Sequence, residues 1–330
     1  MKLPITICCF IQLACAVVYA QKISTPDLTL WYNKPAEAWE EALPLGNGKT
    51  GAMVWGSMDE VIQLNDNTLW SGYPEAGNNP NGPTILPQVR QAVFEGDYEK
   101  AAALWKKMQG PYSARYLPMA DLIWALPFTD VLPHRYYREL NLNTAIATVK
   151  HQIGERNYQR EVFISYPAKV LVMRITADKT NAISGRLRLR SQLKFKIKNV
   201  AANYLVLQGK APKLVANREY EPQQVVYDTL GKKGEGMNFE VHVKIKIDRG
   251  SIEEKDNELN VVGANSVTIY LSAATSFNGF NRSPGLEGKD PSLEAKANLE
   301  KAWARSYEEL KREHIRDHQS LFKRVDLKLS

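Results

Sequence analysis

Chemistry at neutral pH needs carboxylates, imidazoles, thiolates or hydroxyls within reach of one another, and this sequence holds few such groupings. Neighbouring acids occur at Glu40-Glu41, Asp59-Glu60 and Glu253-Glu254. Adjacent strand residues point to opposite faces, so these pairs rarely share a pocket, and solvated or turn acids are expected. His314 and His318 stand four apart, the spacing at which a helix offers two ligands to zinc. No glutamate base completes an H-E-x-x-H pattern, no third ligand lies nearby, and both histidines fall in an apolar helical stripe. Packing or capping is expected of them, not metal. His134, His151 and His242 are isolated and carry no signal. The three cysteines, Cys8, Cys9 and Cys15, all fall in the first twenty residues. Past that segment no disulfide, thiolate metal site or cysteine nucleophile is available, and no cofactor is implied.

Gly46, Gly48 and Gly51 match the spacing G-x-G-x-x-G. A dinucleotide fingerprint also needs a helix N-terminus facing the phosphates, whereas Met53-Val54-Trp55 reads as a strand. A tight turn and close approach by another segment are expected instead. Arg186, Arg188, Arg190, Lys194, Lys196 and Lys198 take even positions, and Leu187, Leu189, Leu193, Phe195 and Ile197 odd ones. One continuous strand would thus carry a basic and an apolar face. Without aromatics interleaved among the basic residues for stacking, a solvated face that discourages edge pairing is expected, not a nucleic-acid surface. Trp70, and Tyr112 and Tyr116 flanking Arg115, are aromatics beside polar groups, which can form sugar platforms or pack between domains. With Asn47 and Asn65 they are the candidates for a substrate rim or an interdomain contact.

The elements that must position these residues are mostly strands. The chain has 330 residues, a net charge of +7 and a pI near 9.1, with 44% hydrophobic and 24% charged residues. That composition suits a packed globular core, and 36 acidic residues temper the positive charge. Met1-Lys2 followed by the apolar run Ile5 to Ala20 reads as a secretory leader. The small residues Val18 and Ala20 place cleavage after Ala20, for a secreted or periplasmic product. Such a run is too short to span ~30 Å of hydrocarbon. A lipoprotein start at Cys15 is disfavoured by Gln12. No later stretch is long and apolar enough to span a membrane.

Residues 21–283 read as a β-sandwich domain. Leu28 to Tyr32, Gly51 to Trp55 and Val61 to Leu64 read as strands, the last two joined as a hairpin. From Leu86 the period becomes helical. Leu86, Val89, Val93 and Phe94, then Tyr98, Ala101, Leu104, Trp105 and Met108, predict a helical insertion over about 84–108, broken at Gly96-Asp97. From Tyr137 to Asn278 the chain reads as short strands without βα alternation, and Phe239 to Asp248 alternates cleanly, apolar at odd numbers. The expected fold is mainly β, an antiparallel β super-sandwich. Residues 284–330 form a helical linker, whose helix opens at Asp290-Pro291 and carries one long stripe through Leu299, Trp303, Tyr307, Leu310, His314, His318 and Leu321.

The segments Leu30-Trp-Tyr-Asn-Lys-Pro-Ala, Trp39-Glu-Glu-Ala-Leu-Pro-Leu-Gly-Asn-Gly and Leu64-Asn-Asp-Asn-Thr-Leu-Trp-Ser-Gly resemble the N-terminal domain of glycoside hydrolase family 95. Arg115-Tyr-Leu-Pro-Met-Ala-Asp-Leu is similar to that family's Tyr-x-Pro-x-Gly-Asp-Leu, with Ala120 in place of a usual glycine. Arg138-Glu-Leu-Asn-Leu-Asn-Thr-Ala-Ile-Ala and the stretch from Tyr158 to Pro167 are also similar. The segment from His314 to Leu327 resembles the linker before the family's catalytic barrel. These matches run in order from Leu28 to Leu329.

The resemblance implies an α-L-fucosidase family acting on fucosylated glycans with inversion, with an N-terminal β super-sandwich, a helical linker, a catalytic (α/α)6 barrel and a small C-terminal β domain. The family's catalytic residues lie in the barrel, so none is carried over. The expectation is a non-catalytic module, inactive alone, with Trp303, His314, His318, Leu321 and Phe322 facing the barrel, which a separately encoded fragment could supply. The alternative is a free-standing carbohydrate-binding or interaction module.

Overall fold

The computed structural model describes residues 28–75, 77–110, 113–127, 133–217, 224–228 and 234–326; the expected leader and Tyr112 lie outside them. In chain order the strands are β1 (Thr29–Tyr32), β2 (Leu43–Gly46), β3 (Thr50–Val54), β4 (Glu60–Asp66), β5 (Ala120–Ala125), β6 (His134–Asn141), β7 (Ile146–Ile153), β8 (Arg156–Ser165), β9 (Val170–Ala177), β10 (Ile183–Arg190), β11 (Lys194–Ala201), β12 (Tyr204–Lys210), β13 (Leu214–Val215), β14 (Val225–Val226), β15 (Asn238–Asp248), β16 (Ser251–Lys255), β17 (Glu258–Ala264) and β18 (Ser266–Thr275). Helices α1 (Gly82–Phe94) and α2 (Tyr98–Met108) fall between β4 and β5, and α3 (Pro291–Trp303) and α4 (Tyr307–Phe322) follow β18.

A nine-stranded sheet runs β1-β6-β7-β8-β9-β18-β15-β12-β11, and a seven-stranded sheet runs β16-β17-β10-β5-β4-β3-β2. Neighbouring strands are antiparallel, as in the long β15–β18 pair that runs from Phe239↔Thr275 to Asp248↔Ser266. The sheets close on one core, with Val54, Ile62, Leu64, Leu122 and Leu187 from one and Val162, Met173, Val241, Val243 and Ile269 from the other. This is the mainly β, antiparallel architecture the residue pattern predicts.

The odd-numbered residues of β15 enter that core. Its even residues meet α3: Lys244 Nζ lies 2.8 Å from Glu300 Oε1, and Lys246 Nζ donates to the Trp303 carbonyl at 3.2 Å. Both ammonium groups lie 4.7 Å from the Trp303 ring centroid. The nine-stranded sheet is therefore covered on both faces. Its outer face, through Phe163, Val170, Val172, Tyr204 and Tyr270, packs on Leu299, Tyr307 and Leu310.

Two expectations are corrected. The basic run is not one strand. Arg186 to Arg190 lie on β10 and Lys194 to Lys198 on β11, in different sheets, because the chain crosses between sheets at Ser191–Leu193. Arg186 and Arg188 pair with Glu258, and Arg190 pairs with Asp121, whereas β11 is an exposed edge strand guarded by its lysines. The linker stripe is two helices. Ser306 ends the first run by capping α4, its hydroxyl accepting from the Glu309 amide while the Glu309 carboxylate accepts from the Ser306 amide. The expected helical insertion is α1 and α2. The hairpin packs chiefly on itself through Gly82, Ala92 and Ala101, leaving Phe94 86% exposed and Tyr98 and Trp105 largely so.

At one end of the sandwich an ionic cluster ties the sheets together. Glu60, inward on β4, meets Arg160 of β8 at 3.2 Å, and both are fully buried. The other Glu60 oxygen accepts from the Gly56 amide at 2.8 Å. Arg160 donates to the carbonyls of Ser57 and Met58, and Arg138 to those of Lys34 and Glu41. Gly56 has a φ of +70°, and a Cβ there would stand 2.5 Å from the Tyr136 hydroxyl. Removing one member strands a buried charge, so Glu60→Gln is expected to cost about 3–5 kcal/mol in urea denaturation. The double variant Glu60→Gln/Arg160→Met should cost less than the two single losses summed, by at least about 1 kcal/mol.

Candidate glycan-contact site

The segment after β4 forms the other end of the sandwich. Asp66 points inward and is buried; its Oδ1 accepts from the Thr68 amide at 2.9 Å and the Thr68 hydroxyl at 2.6 Å. The Thr68 hydroxyl also lies 2.6 Å from that of Thr275, at the end of β18. This Asx-type turn fixes alternation beyond the strand, so Leu69 enters the core and Trp70 faces out. The Leu117 amide donates to the Leu69 carbonyl, and Ser71 and Arg115 exchange bonds through the Ser71 amide and hydroxyl. Trp70 and Tyr116 are thereby bridged, their rings 5.3 Å apart at 58°, and the indole N–H donates to the Asn67 carbonyl at 3.0 Å.

On the Trp70 side of this pair, Trp70, Tyr73, Phe277, Phe280 and Arg282 line an open cleft of about 190 Å³ that Tyr116 does not reach. Phe280 is 89% exposed, Trp70 42% and Tyr116 44%. A neighbouring cleft of about 370 Å³ brings in Ser71, Glu75 and Lys213. Aromatic faces beside hydrogen-bonding side chains suit the apolar faces and hydroxyls of a sugar. Burial pushes the Asp66 carboxyl above its ordinary range, against the hydrogen bonds from Thr68 that favour the charged form. Burial, then the Asp66 charge, raises the Tyr116 phenol. Both groups are therefore poorer acids than usual.

The structure gathers Trp70, Arg115 and Tyr116 and leaves the asparagines apart. Asn47 closes the β2–β3 hairpin, its Oδ1 accepting from the Lys49 and Thr50 amides and its Nδ2 donating to the Ser165 carbonyl. Gly48, at φ +84°, makes that turn, and β3 rather than a helix follows it. Asn65 is half-buried on β4 opposite Gly51. On the linker, Trp303 packs edge-on against Tyr270 at 5.6 Å. His314 Nε2 donates to the Thr144 carbonyl at 3.0 Å, and its ring stacks on Phe163 at 4.8 Å. His318 Nε2 donates to the Leu142 carbonyl at 2.8 Å, and its ring stacks on Phe322. These groups therefore sit on the sandwich itself, while Leu321 is 58% exposed. Among the described residues no three His, Cys, Asp or Glu side chains gather to hold a metal ion. No helix among them is long and apolar enough to cross a membrane.

Tyr73, Phe277, Phe280 and Arg282 escaped the sequence reading. Their signal was present: two phenylalanines in a Gly-, Asn- and Ser-rich loop directly after β18, where no periodicity buries them.

The chain is thus a two-sheet antiparallel sandwich with a helical C-terminal layer and an aromatic cleft at one end. The sequence profile described as glycosyl hydrolase family 65, N-terminal domain, matches residues 30–279, and the chain belongs to that family. The expected kinship with α-L-fucosidases also holds. The Arabidopsis thaliana protein named "Alpha-L-fucosidase 2" is 30% identical over 329 residues, covering 96% of this chain and 38% of its own length. Two proteins named "Probable alpha-fucosidase A" are each 27% identical over 91% of this chain. The Aspergillus niger protein is covered over 38% of its length and the Aspergillus oryzae protein over 41%. The chain thus spans about two fifths of the curated relatives it matches.

The raised Asp66 value fixes the sign of its pH effect. Its contribution to stability is present below the ordinary carboxylate range and is lost as pH rises through the raised value. Thr68→Val removes the hydroxyl bond that eases the charged form and keeps the amide bond. It should cost about 1–3 kcal/mol at neutral pH, and less at a pH where Asp66 is protonated, as read by denaturation at both pH values.

Proposed function

We propose that this chain is the non-catalytic N-terminal module of a secreted α-L-fucosidase-type glycoside hydrolase that acts on fucosylated glycans with inversion once its catalytic barrel is in place. The carrying observation is that nearly the whole chain aligns with about two fifths of proteins named as α-fucosidases. The acids support the reading. Inversion calls for two carboxyls roughly 6.5–9.5 Å apart across a bound sugar. Here Glu41 accepts from the Glu37 amide, Asp59 from the Leu126 amide and Glu254 from the Asn257 amide, while Glu60 is buried against Arg160. None of these acids lines the Trp70 cleft.

In this reading the Trp70–Tyr116 pair, with Phe277 and Phe280, forms a rim that guides glycan to the barrel. The exposed aromatics also favour a second reading, a carbohydrate-binding module that holds glycan unaided. Export is proposed from the apolar leader ending at Ala20, which places the mature chain outside the cytoplasm, beginning at Gln21 and free of cysteine.

Incubation of the purified mature chain with a fucosylated oligosaccharide is expected to release no fucose above a boiled control. Sustained release from contaminant-free protein would falsify the non-catalytic reading. In the same sample, titration with that oligosaccharide followed by NMR at the Trp70 indole N–H separates the two roles: saturable binding by the chain alone selects the second. N-terminal sequencing of exported protein should begin at Gln21, and a lipidated Cys15 would contradict the leader reading.

A further inference from the structure

The aromatic cleft at Trp70 abuts the larger, polar one. Ser71, Gly72, Tyr73 and Ala114 line both. Gly72 has no side chain and Ala114 a single methyl, and Gly72 takes a φ of +86°, where any other residue would be strained. Of the four shared residues Tyr73 has the large side chain, so it divides one groove into two halves.

The halves differ in chemistry, and the groups that define them are open to solvent. Trp70, Phe277 and Phe280, all exposed, line the aromatic half and not the other. Glu75 and Lys213 line the polar half and not the first. Glu75 is exposed and Lys213 half-buried, its Nζ 3.9 Å from Asp228 Oδ1, too far for a hydrogen bond. Tyr73 joins the halves. Its hydroxyl bonds to Glu75, and that bond, ahead of the Glu75 charge, raises the phenol.

Two abutting clefts, one aromatic and one polar, suit two linked sugars better than one. A pyranose lays a C–H face on an aromatic ring and carries hydroxyls around its edge. Each hydroxyl both donates and accepts, whereas ionised Glu75 accepts only and Lys213 donates only, so the pair meets both needs of a hydroxyl-rich ring. Their charges cancel. In the aromatic half Arg282 precedes Ser283, whose hydroxyl donates to Glu235 and whose amide donates to Glu287, so that half has no cationic excess. Neither half therefore favours an anionic sugar. We propose that the two clefts form one groove for a neutral oligosaccharide, the aromatic half stacking on one sugar while Glu75 and Lys213 take the hydroxyls of the next, which rests on the reading in which this end of the sandwich holds glycan unaided. The groove then selects for chain length and takes the backbone of a glycan, not a lone sugar.

The purified full chain is titrated with galactose and lactose, and in parallel with glucose and cellobiose, while NMR follows the Trp70 indole N–H. In at least one series the disaccharide should bind at least about tenfold more tightly than its monosaccharide. Lys213→Ala and Glu75→Gln should each cut that gain at least about fivefold, and Lys213→Arg should keep it. Digalacturonate should bind no more tightly than the neutral disaccharide. The groove is overturned, and unaided glycan binding stands, if the Trp70 signal shifts with equal affinity for one sugar and two, or if Lys213→Ala keeps the gain. Tighter binding of digalacturonate overturns the neutral class. If no saccharide moves the signal, unaided binding falls and the groove with it.

Discussion

The nine-stranded sheet is apolar on both faces, and that constraint governs the rest of the molecule. One face can be buried only by a second sheet, which β2 to β5, β10, β16 and β17 provide. The other needs helices, because Phe163, Val170, Val172, Tyr204 and Tyr270 would otherwise form a large exposed apolar patch. Fully burying Tyr307 and Leu310 is worth ~1.5–3 kcal/mol each, which helps to hold a 16-residue helix that would be marginal alone. Polar groups then set the register of that cover. Lys311 Nζ and the Tyr307 hydroxyl both reach Glu161, His314 and His318 bond to carbonyls before and within the β6–β7 turn, and Lys49 of the glycine hairpin pairs with Glu294.

Between the sheets, β4 works from both ends. Its inward side is Glu60, Ile62, Leu64 and Asp66, two aliphatic residues between two buried carboxylates. Glu60 anchors Arg160, which fastens β8 to the opposite sheet, and Asp66 anchors the turn that presents Trp70. Each end carries a cleft, one lined by aromatics and the other by Trp124, His151 and two arginines. The two differ because one carboxylate organises hydroxyls and backbone amides, and the other is neutralised by guanidinium.

What the sequence revealed follows the range of the interactions. Period-two alternation in β15 and the Asp97 and Asp290 caps are local signals, and each is where the pattern put it. Trp70 and Tyr116 were legible as aromatics beside polar groups, whereas the Asp66–Thr68 turn that presents Trp70 was not. The Glu60–Arg160 pair was not, since its members are a hundred residues apart and read singly as a turn acid and a strand cation. The break before α4 was legible in principle from Ser306-Tyr-Glu-Glu309, but the apolar spacing continues across it and masked the cap.

The account makes α3 and α4 part of the sandwich's own fold, not an appendage awaiting another domain. Native-state hydrogen exchange on a monomeric sample tests this most directly. Amides of α4 from Leu310 to His318 should be protected to nearly the same degree as the core amides of β15. Exchange of those α4 amides at rates close to unprotected chain, with β15 still protected, would contradict it.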